Sequence, residues 1–586
     1  MISIGGIMMA VIGIDLGTTN SLAVVYRNGN VELIPNQFHE YLRPSVVSLD
    51  HNELIVGKIA KERLVTDPEH TTYLFKRKMG KSEKTQLGSK SYLPEELSAC
   101  VVKQLIEDAQ NYLGEKVDEV VISVPAYFDA TQRRATKAIG EILGVKVNRL
   151  INEPSAAAIA CHQSDNFETF VVFDFGGGTL DVSVVDCFEN VVSINAIAGN
   201  NQLGGSDFDK AIAYYFCQQN DIDFVSLSKE EQRSLLLCSE RVKLSLQDSS
   251  STTMKLTLSN HQYVCELDNE ILFSITKHIF TEIKKVIGKA VKDSGFSAEE
   301  LDSLILVGGS SYMPVVRDYL TQLLNIPVSQ SEDIDLLVAR GLGKYIGIKQ
   351  READVKDLLV TDICPFSLST GVHNPIDTAK DLAEVIIPRN TVLPASESVT
   401  LQTVKKGQTH VNVTVYQGEE MYAKDNLFLG SVDIQVPRNF KEHEQFQVTY
   451  SYDINSMLYV EIDILSTQEH FTYQIGQTQR LEKVTKYNHL NAVKNVSLQL
   501  NQNPEYDALM EKAKRIFTEL DPVTKDYYQA TLQQFIVHFK HYHNNIKKKQ
   551  ELLTIMEDYI DKFEKDIDYE NLDIFSSFDD EGGLPS

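Results

Sequence analysis

One sequence pattern occurs twice in this chain, at Ile12–Val25 and again at Val172–Val185. Each copy has an apolar run that ends at an Asp, then a turn rich in Gly and Thr, then a second apolar run. Asp15 and Asp174 occupy equivalent places, 159 positions apart. A repeat of this kind predicts a duplicated α/β fold whose two halves enclose a cleft.

The residue types in the two turns suit the phosphates of a nucleotide and a metal ion. Glycines let the backbone approach phosphate oxygens, and Thr hydroxyls add hydrogen-bond donors. A carboxylate would repel phosphate, so Asp15 and Asp174 are expected to hold Mg²⁺ through its water shell. A single copy would be an ordinary Gly-rich hairpin about half of the time. Two matched copies argue against that alternative, and the turn residues are Gly17, Thr18, Thr19, Asn20, Gly176, Gly177, Gly178 and Thr179.

A third glycine turn follows the apolar run Leu304–Val307 and precedes a helix predicted to begin near Val315. Its residues Gly308, Gly309 and Ser310 suit close approach to the α-phosphate or the sugar. Two other nucleotide-binding motifs, the P-loop and the dinucleotide fingerprint, are incomplete in this sequence. Gly80, Lys81 and Ser82 lack the upstream glycine of a P-loop, and Gly341 and Gly343 do not follow a strand as a dinucleotide fingerprint would.

Length and charge limit the remaining possibilities. A chain of 586 residues predicts about two to four domains. A net charge of −26 argues against nucleic acid as the main partner. The seven cysteines form no C-x-x-C pair and indicate reduced thiols. The first ten residues lack the basic residues of a secretory signal, and no apolar run reaches the roughly 18 residues of a membrane span. We therefore expect a cytoplasmic protein without a membrane partner.

Changes in hydrophobic pattern divide the chain. After an extension at 1–10, apolar runs alternate with amphipathic helical stretches such as Glu95–Leu113 and Ile271–Ser294, which predicts a nucleotide-binding domain over 11–353. A linker covers 354–362. Short alternating runs then predict an antiparallel β-sandwich over 363–480, with strands at Val399–Val404, Val411–Gln417, Gln445–Tyr452 and Leu458–Leu465. Helical spacing over 481–563 precedes an acidic tail at 564–586, which composition predicts to be disordered.

Three further segments are close to the sequence motifs of one known family. They are Val124–Arg134, Arg149–Ala158 and Leu203–Asp209. Together with the glycine turns, they make the chain resemble, over nearly its whole length, the DnaK-type heat-shock chaperones of the actin and sugar-kinase superfamily. The shorter HscC-like branch is resembled most, because the segments Gly80–Tyr92 and Gln247–Val264 are compact. The resemblance implies an actin-like ATPase domain of two lobes, a β-sandwich that binds peptide, an α-helical lid and a role in stress response.

The resemblance also implies roles for residues around the nucleotide. Lys76 and Glu153 would position the attacking water, and Asp181 would serve Mg²⁺ and that water together with Asp15 and Asp174. ATP and Mg²⁺ are the implied cofactors, and K⁺ is a further candidate ion. By periodicity alone, Lys76 belongs to a solvated basic face with Arg77, Lys78 and Lys81. The other residues implied at the nucleotide are Gly204, Gly205, Glu240, Lys243, Tyr312 and Asp335.

Two residues depart from the family pattern at the base end of this site. Tyr312 stands where relatives carry an Arg that stacks on the base, and Gln247 replaces a small Ser. An aromatic ring can still stack on adenine, but the guanidinium plane is lost. The sequence therefore leaves nucleotide affinity open, and with it the need for an exchange factor.

The linker contains a short apolar run, Leu358, Leu359 and Val360, which would be costly to leave in water. We expect it to dock in one state and to be released in another; the alternative is a plain first strand of the β-sandwich. The resemblance implies that this run carries the ATP signal to the peptide domain. It also implies that a face near the linker receives a J-domain partner, with Pro125, Arg133, Arg149, Asn152 and Asp362 on the relay or at this face.

The peptide cradle implied by the resemblance would take extended apolar segments of unfolded proteins, with aliphatic side chains in its pockets. His373 departs from the usual apolar residue in an arch over the peptide. Alternation along one strand face is equally typical of a core strand. The cradle residues are Thr370, Val372, His373, Leu401, Val404, Val411 and Val413.

The sequence thus predicts an ATP-driven peptide-binding chaperone, with two rivals from other classes. A sugar or metabolite kinase on the same fold would need an acceptor pocket with a carboxylate base. The residues beyond the linker would have no role in such an enzyme. A filament-forming relative would polymerise with ATP, and the attached β-domain argues against it.

Overall fold

The computed structural model describes residues 9–483, except 37–38, 51–52, 163–167, 189–190, 259–260, 330–332, 352–358, 378, 456 and 476–480. It also describes single positions between 506 and 539 and the stretch 546–564. The described residues fall into two compact units. The first unit comprises Met1–Ala290, Ala298–Pro365 and Asn455–Met457, and the second comprises Val291–Ser297, Phe366–Ile454 and Leu458–Ser586. Leu358, most of the predicted lid and all but the first residue of the acidic tail lie outside the described residues.

The helices and strands follow the chain in this order. The helices are α1 (Lys58–Thr66), α2 (Pro94–Leu113), α3 (Ala130–Leu143), α4 (Glu153–Cys161), α5 (Gly205–Gln219), α6 (Lys229–Ser245), α7 (Asn269–Ile275), α8 (Lys277–Ser294), α9 (Pro314–Leu324), α10 (Leu337–Lys349) and α11 (Ile546–Glu564). The strands are β1 (Met9–Asp15), β2 (Asn20–Arg27), β3 (Asn30–Ile34), β4 (Arg43–Pro44), β5 (Val46–Asp50), β6 (Glu53–Val56), β7 (Thr71–Tyr73), β8 (Thr85–Leu87), β9 (Lys90–Tyr92), β10 (Lys116–Val124), β11 (Lys146–Asn152), β12 (Glu168–Phe175), β13 (Leu180–Phe188), β14 (Val191–Asn200), β15 (Ser251–Leu258), β16 (His261–Asp268), β17 (Ser303–Val307), β18 (Leu359–Ile363), β19 (Leu368–Val372), β20 (Leu382–Ile387), β21 (Val392–Leu393), β22 (Ala395–Gln402), β23 (His410–Gln417), β24 (Leu427–Gln435), β25 (Gln445–Tyr452), β26 (Leu458–Ile464), β27 (Glu469–Ile475) and β28 (Leu481–Lys483).

The two copies of the repeat form equivalent hairpins in two sheets of the first unit. The first sheet runs β11-β10-β1-β2-β3, and the second contains the order β17-β12-β13-β14-β18. In both, the strand with the Asp at or next to its carboxyl end has an antiparallel neighbour from its own hairpin and a parallel neighbour from later in the chain. The same order therefore brings both Asp residues and both turns to the carboxyl ends of their strands.

Local signals account for the ends of several helices in this unit. Helix α3 begins after Asp129, whose carboxylate accepts from the Gln132 N–H at 2.8 Å, and the N-cap interaction satisfies one free donor. It ends at Gly144, which takes a left-handed conformation with φ +67°. Apolar residues of the neighbouring strands, such as Ile12 and Val120, are fully buried in the core.

The helical stretch predicted at Ile271–Ser294 consists of two helices, α7 and α8, rather than one. Helix α7 begins after Asp268, which accepts from the Ile271 N–H at 2.7 Å, and ends at Ile275. Thr276 interrupts the helix, and its hydroxyl donates to the Leu272 carbonyl at 2.6 Å. Apolar spacing continues across this break, so the pattern alone could not show it.

The second unit contains two antiparallel sheets, with the orders β20-β19-β23-β24 and β22-β25-β26-β27-β28. Val415, Val448 and Val460 are fully buried between neighbouring strands. Tyr450 joins the two sheets, because its buried hydroxyl donates to the Ser369 carbonyl of β19 at 3.2 Å.

Three strands in this unit have boundaries that differ from the predicted ones, and one of them, β23, begins one residue early, at His410. The predicted strand at Val399–Val404 begins earlier, at Ala395, and ends at Gln402, so Val404 follows it and is 48% exposed. The strand at Leu458 ends at Ile464, one residue before the predicted end. Across the described residues, no helix combines the length and the apolar character needed to cross a bilayer.

Candidate nucleotide site

A cavity of about 490 Å³ lies where the three glycine turns of the first unit meet. Its lining contains most of the residues predicted at the nucleotide: Asp15, Gly17, Thr18, Thr19, Asn20, Lys76, Glu153, Asp174, Gly176, Gly177, Thr179, Glu240, Lys243, Gly308, Gly309, Ser310, Tyr312 and Asp335. Gly178, Asp181, Gly204 and Gly205 do not line the cavity but pack against residues that do. Such a volume falls within the usual range of ligand pockets, about 300–1,000 Å³.

The two hairpin turns approach each other so closely that side chains are excluded. A Cβ atom on Gly178 would lie 2.4 Å from Cγ2 of Thr18, and one on Gly204 would lie 2.4 Å from the Gly178 nitrogen. Gly17 has no room either, because a Cβ there would lie 1.9 Å from the Asn20 carbonyl oxygen. Neighbouring atoms lie so close to these three positions that only glycine, which has no Cβ, fits there.

Four carboxyl groups lie in or beside one end of the cavity: Glu153, Asp174 and Asp181 are buried, and Asp15 is half-buried. Burial, with the nearby Glu153 carboxylate, raises the pKa of Asp15 to about 7 and the pKa of Asp181 to about 7. The pKa of Asp174 is raised by the same two causes and by Asp181. Asp181 accepts from the Tyr127 N–H at 3.1 Å through Oδ1, while its buried Oδ2 has no hydrogen-bond partner among the described residues. Lys76 lowers all three pKa values, but its single charge does not offset burial and the neighbouring carboxylates.

These carboxylates fit a hydrated magnesium ion. The donors are hard oxygens, they are close together, and Asp181 Oδ2 is an acceptor without a donor. Mg²⁺ prefers such carboxylates and usually keeps several waters. Asp15 is the last residue of β1 and Asp174 the last but one of β12, and Asp15 accepts from the Ser123 hydroxyl at 2.7 Å.

Lys76 is the cation of this end of the cavity. Its Nζ donates to Glu153 Oε1 at 2.8 Å, and the two side chains are only 4% and 9% exposed. The ammonium also lies 5.7 Å from the centre of the Phe128 ring. The alternative of a solvated basic face is therefore wrong for Lys76, although it describes Lys78, which is 44% exposed.

Arg77 is a functional candidate that the sequence did not reveal. Its Nε donates to the Gly178 carbonyl at 2.8 Å, and its Nη2 donates to Asp207 Oδ2 at 2.6 Å. A buried guanidinium thus ties the second turn to the start of α5, where the Gly204 N–H also donates to Asp207 at 2.9 Å. The available signal was Asp207 three residues after Gly204, since an acidic side chain in the first turn of a helix can accept from the N–H of the residue that precedes the helix.

Tyr312 and Gln247, which the sequence predicts at the base end of the site, also line the cavity, and so does Leu244, with 46% of its surface exposed. Two ion pairs lie in the same lining: Lys61 to Glu240 at 3.1 Å and Lys243 to Asp209 at 2.7 Å. Leu244 was missed because a leucine at helical spacing is typical of a core position.

The linker forms a strand, but not the first strand of the β-sandwich. Leu359, Val360 and Thr361 of β18 pair in parallel with β14 of the first unit. Asp362 accepts from Asn152 Nδ2 at 2.6 Å and from the Ser155 hydroxyl at 3.2 Å. The alternative of a plain β-sandwich strand is therefore wrong for the described part, 359–362.

The predicted relay residues lie near this strand. Arg133 is 1% exposed, and its Nη2 donates to Asn152 Oδ1 at 2.7 Å and to the Ala126 carbonyl, next to Pro125, at 2.9 Å. The guanidinium of Arg149 lies 5.7 Å from the Tyr345 ring centre. Arg133 and Asn152 thus connect the segment after β10 with the linker strand.

The residues predicted for a peptide cradle lie on β19, β22, β23 and their connections. Thr370 and Val413 are buried, at 1% and 2% exposure, whereas Val372, Leu401 and Val411 are half-buried. His373 directly follows β19 and is exposed, while Val404 follows β22. Both core packing and contact with a ligand remain open for the half-buried residues, and the cradle stays a prediction.

The fold and cavity define a nucleotide-binding protein with duplicated hairpins at the phosphate end. A family model described as Hsp70 protein matches residues 11–574. The chain therefore belongs to the Hsp70 family, which confirms the predicted DnaK-type chaperone family. Membership makes it an ATP-dependent chaperone with ATP hydrolase activity in the general sense of that family, and it implies an actin-like ATPase domain, a β-sandwich and a helical lid.

Proposed function

We propose that this chain binds short extended apolar segments of unfolded proteins and changes its affinity for them by hydrolysing ATP. The observation that carries the proposal is a pair of contacts at the start of α4. Glu153 bonds to Lys76 in the cavity, and the preceding Asn152 bonds to Asp362 of the linker strand. A shift of this helix start on hydrolysis would reach the linker directly.

Backbone groups of the glycine turns and the hydroxyls of Thr18, Thr19 and Thr179 would bind the phosphates of ATP. Ser310 would support them, because its hydroxyl donates to the Gly176 carbonyl at 2.8 Å and fixes the second turn. Asp15 and Asp174 would hold Mg²⁺ through water molecules, and the bound ion would neutralise charge on the phosphates.

The chain's own groups would orient the attacking water and take its proton. Lys76 and Glu153 form one rigid ion pair at the carboxylate end of the cavity. Asp181 has a free buried oxygen and a pKa raised to about 7, so it can accept a proton near neutral pH. Positioning of this kind supplies much of the catalysis in phosphoryl transfer.

The pairing of the linker strand would depend on which nucleotide occupies the cavity. We propose that β18 pairs with β14 when ATP is bound and leaves it after hydrolysis, with Leu359 and Val360 exchanging partners. A J-domain partner would act at the nearby face that includes Arg149 and Asp362. Tyr312 stands where relatives carry an Arg that stacks on the base, so we expect ATP to be bound weakly at its base, and nucleotide exchange rates would show whether an exchange factor is needed.

Turnover of ATP with and without an unfolded aliphatic peptide tests the proposal. Faster turnover with peptide is expected, because the peptide and nucleotide sites are linked. If peptide left turnover unchanged while a small metabolite became phosphorylated, the chain would be a kinase on this fold and the proposal would be wrong.

A further inference from the structure

A second cavity of about 360 Å³ adjoins the nucleotide cavity and is not used by the proposed ATPase. It lies between α5, the start of α6 and Pro68, and it shares Lys210, Arg233 and Leu236 with the nucleotide cavity. We call it the lysine–aromatic cavity, after Lys210, Lys229, Arg233, Tyr214 and Phe224.

The charge of this cavity favours an anion. Three cations line it, and none of the described lining residues is acidic, in a chain whose net charge is −26. Lys229 pairs with Glu69 at 3.5 Å, and Lys210 pairs with Asp207 at 3.1 Å. The two lysines are 73% and 48% exposed, and exposed pairs of this kind are weak. Both ammonium groups can therefore turn to a ligand.

The remaining wall is aromatic and already in place. The rings of Tyr214 and Phe224 lie 5.1 Å apart at 57°. Gln232 fixes the Phe224 turn, because its Nε2 donates to the Phe224 carbonyl at 3.2 Å and to the Leu227 carbonyl at 3.0 Å. A ring stacked on such a wall gains contact at little ordering cost.

We propose that the lysine–aromatic cavity binds a small aromatic phosphate monoester and that this ligand speeds nucleotide release. Its dianionic phosphate suits three cations, and its ring suits the aromatic wall. Arg233 connects the two cavities, since its guanidinium lies 4.6 Å from the centre of the Tyr73 ring, which lines the nucleotide cavity. A phosphate that draws Arg233 away from Tyr73 opens this side of the nucleotide cavity.

Titration of the full chain with 4-fluorophenyl phosphate, in saturating ADP and Mg²⁺ and followed by ¹⁹F NMR, tests the binding. We expect saturable binding, weakened about fivefold or more by Lys229→Gln and by Tyr214→Ala. The matched control Lys285→Gln, at a 67% exposed lysine paired with Glu282, leaves it unchanged. No saturable binding, binding by both cavity variants that is as tight as that of the parent, or equally tight competition by inorganic phosphate overturns the proposal.

Release of a fluorescent ADP analogue tests the coupling. Saturating 4-fluorophenyl phosphate is expected to raise the release rate of the parent chain and of Lys285→Gln, but not of Lys229→Gln. Binding without any change in the release rate of the parent overturns the link between the two cavities.

Discussion

Asn152 donates from Nδ2 to Oδ2 of Asp362 at 2.6 Å, which ties the first turn of α4 to the linker strand. The next residue, Glu153, accepts from Lys76 in the nucleotide cavity at 2.8 Å. Two consecutive residues thus contact the two places that a nucleotide-driven chaperone must connect. Both contacts are largely buried, so neither can move without a change in the packing around α4.

Asp362→Ala tests this connection, because it removes the acceptor of both Asn152 and Ser155. We expect basal ATP turnover within about twofold of the parent, since the side chain lies outside the cavity, and loss of stimulation by peptide. Steady-state ATPase assays with and without peptide measure both. Asp302→Ala is the control, as it removes a carboxylate that accepts from the Thr169 N–H in the same unit at 2.8 Å. Stimulation that survives Asp362→Ala would refute the connection.

Lys76→Ala should abolish hydrolysis while it spares ATP binding. The ammonium is the partner of Glu153 at the carboxylate end of the cavity, so its loss should lower kcat about 100-fold or more. Single-turnover assays and calorimetric titration with ATP separate the two effects. Lys78→Ala removes the exposed neighbouring lysine and should leave kcat unchanged. Equal turnover in Lys76→Ala and the parent would remove Lys76 from the mechanism.

Arg77→Ala should loosen the second turn and weaken ATP binding. It breaks a buried ion pair with Asp207 and the bond to the Gly178 carbonyl, so the free energy of unfolding should fall by about 3 kcal/mol. Arg77→Lys keeps the charge but cannot reach both partners with one planar group, and it should restore only part of the loss. Chemical denaturation and ATP titration give the two quantities. Full rescue by Lys would mean that charge alone matters there.

Asp209→Asn should change how stability depends on pH. Burial raises the pKa of Asp209 to about 6, although Lys243 opposes this. Because the pKa is higher in the folded state, the native chain binds the proton more tightly, and ionisation of Asp209 costs stability as pH rises from about 4 to about 6. The free energy of unfolding of Asp209→Asn, taken relative to that of the parent, should therefore rise by up to about 3 kcal/mol between pH 4 and pH 7. Denaturation without nucleotide at several pH values checks this; a difference that stays constant with pH would contradict it.

The paired turns could be predicted because the chemistry of phosphate binding repeats the same residue types at the same spacing. The strands around them could be predicted because their apolar runs are buried on both faces, as at Ile12–Ile14 and Leu304–Val307. The family motifs then extended the prediction to Lys76, which no periodicity would have selected.

The orientation of side chains within a charged run could not be predicted. Lys76 and Arg77 are buried while Lys78 is exposed, because a short 3₁₀ turn over Phe75–Lys78 follows Leu74 in a left-handed conformation with φ +57°. A leucine rarely adopts that conformation, and nothing in the local composition predicts it. The break at Thr276 and the end of β22 before Val404 were missed for a similar reason, since apolar spacing continues past both.

The affinity of the full chain for a fluorescent unfolded aliphatic peptide, measured with ATP and with ADP, tests the central claim most directly. ATP should weaken peptide binding and speed peptide release. Because Lys76→Ala does not hydrolyse ATP, its peptide affinity should stay low for as long as ATP is present. Equal affinity and equal release rates with the two nucleotides in the parent chain would contradict the proposed control of peptide binding by ATP hydrolysis.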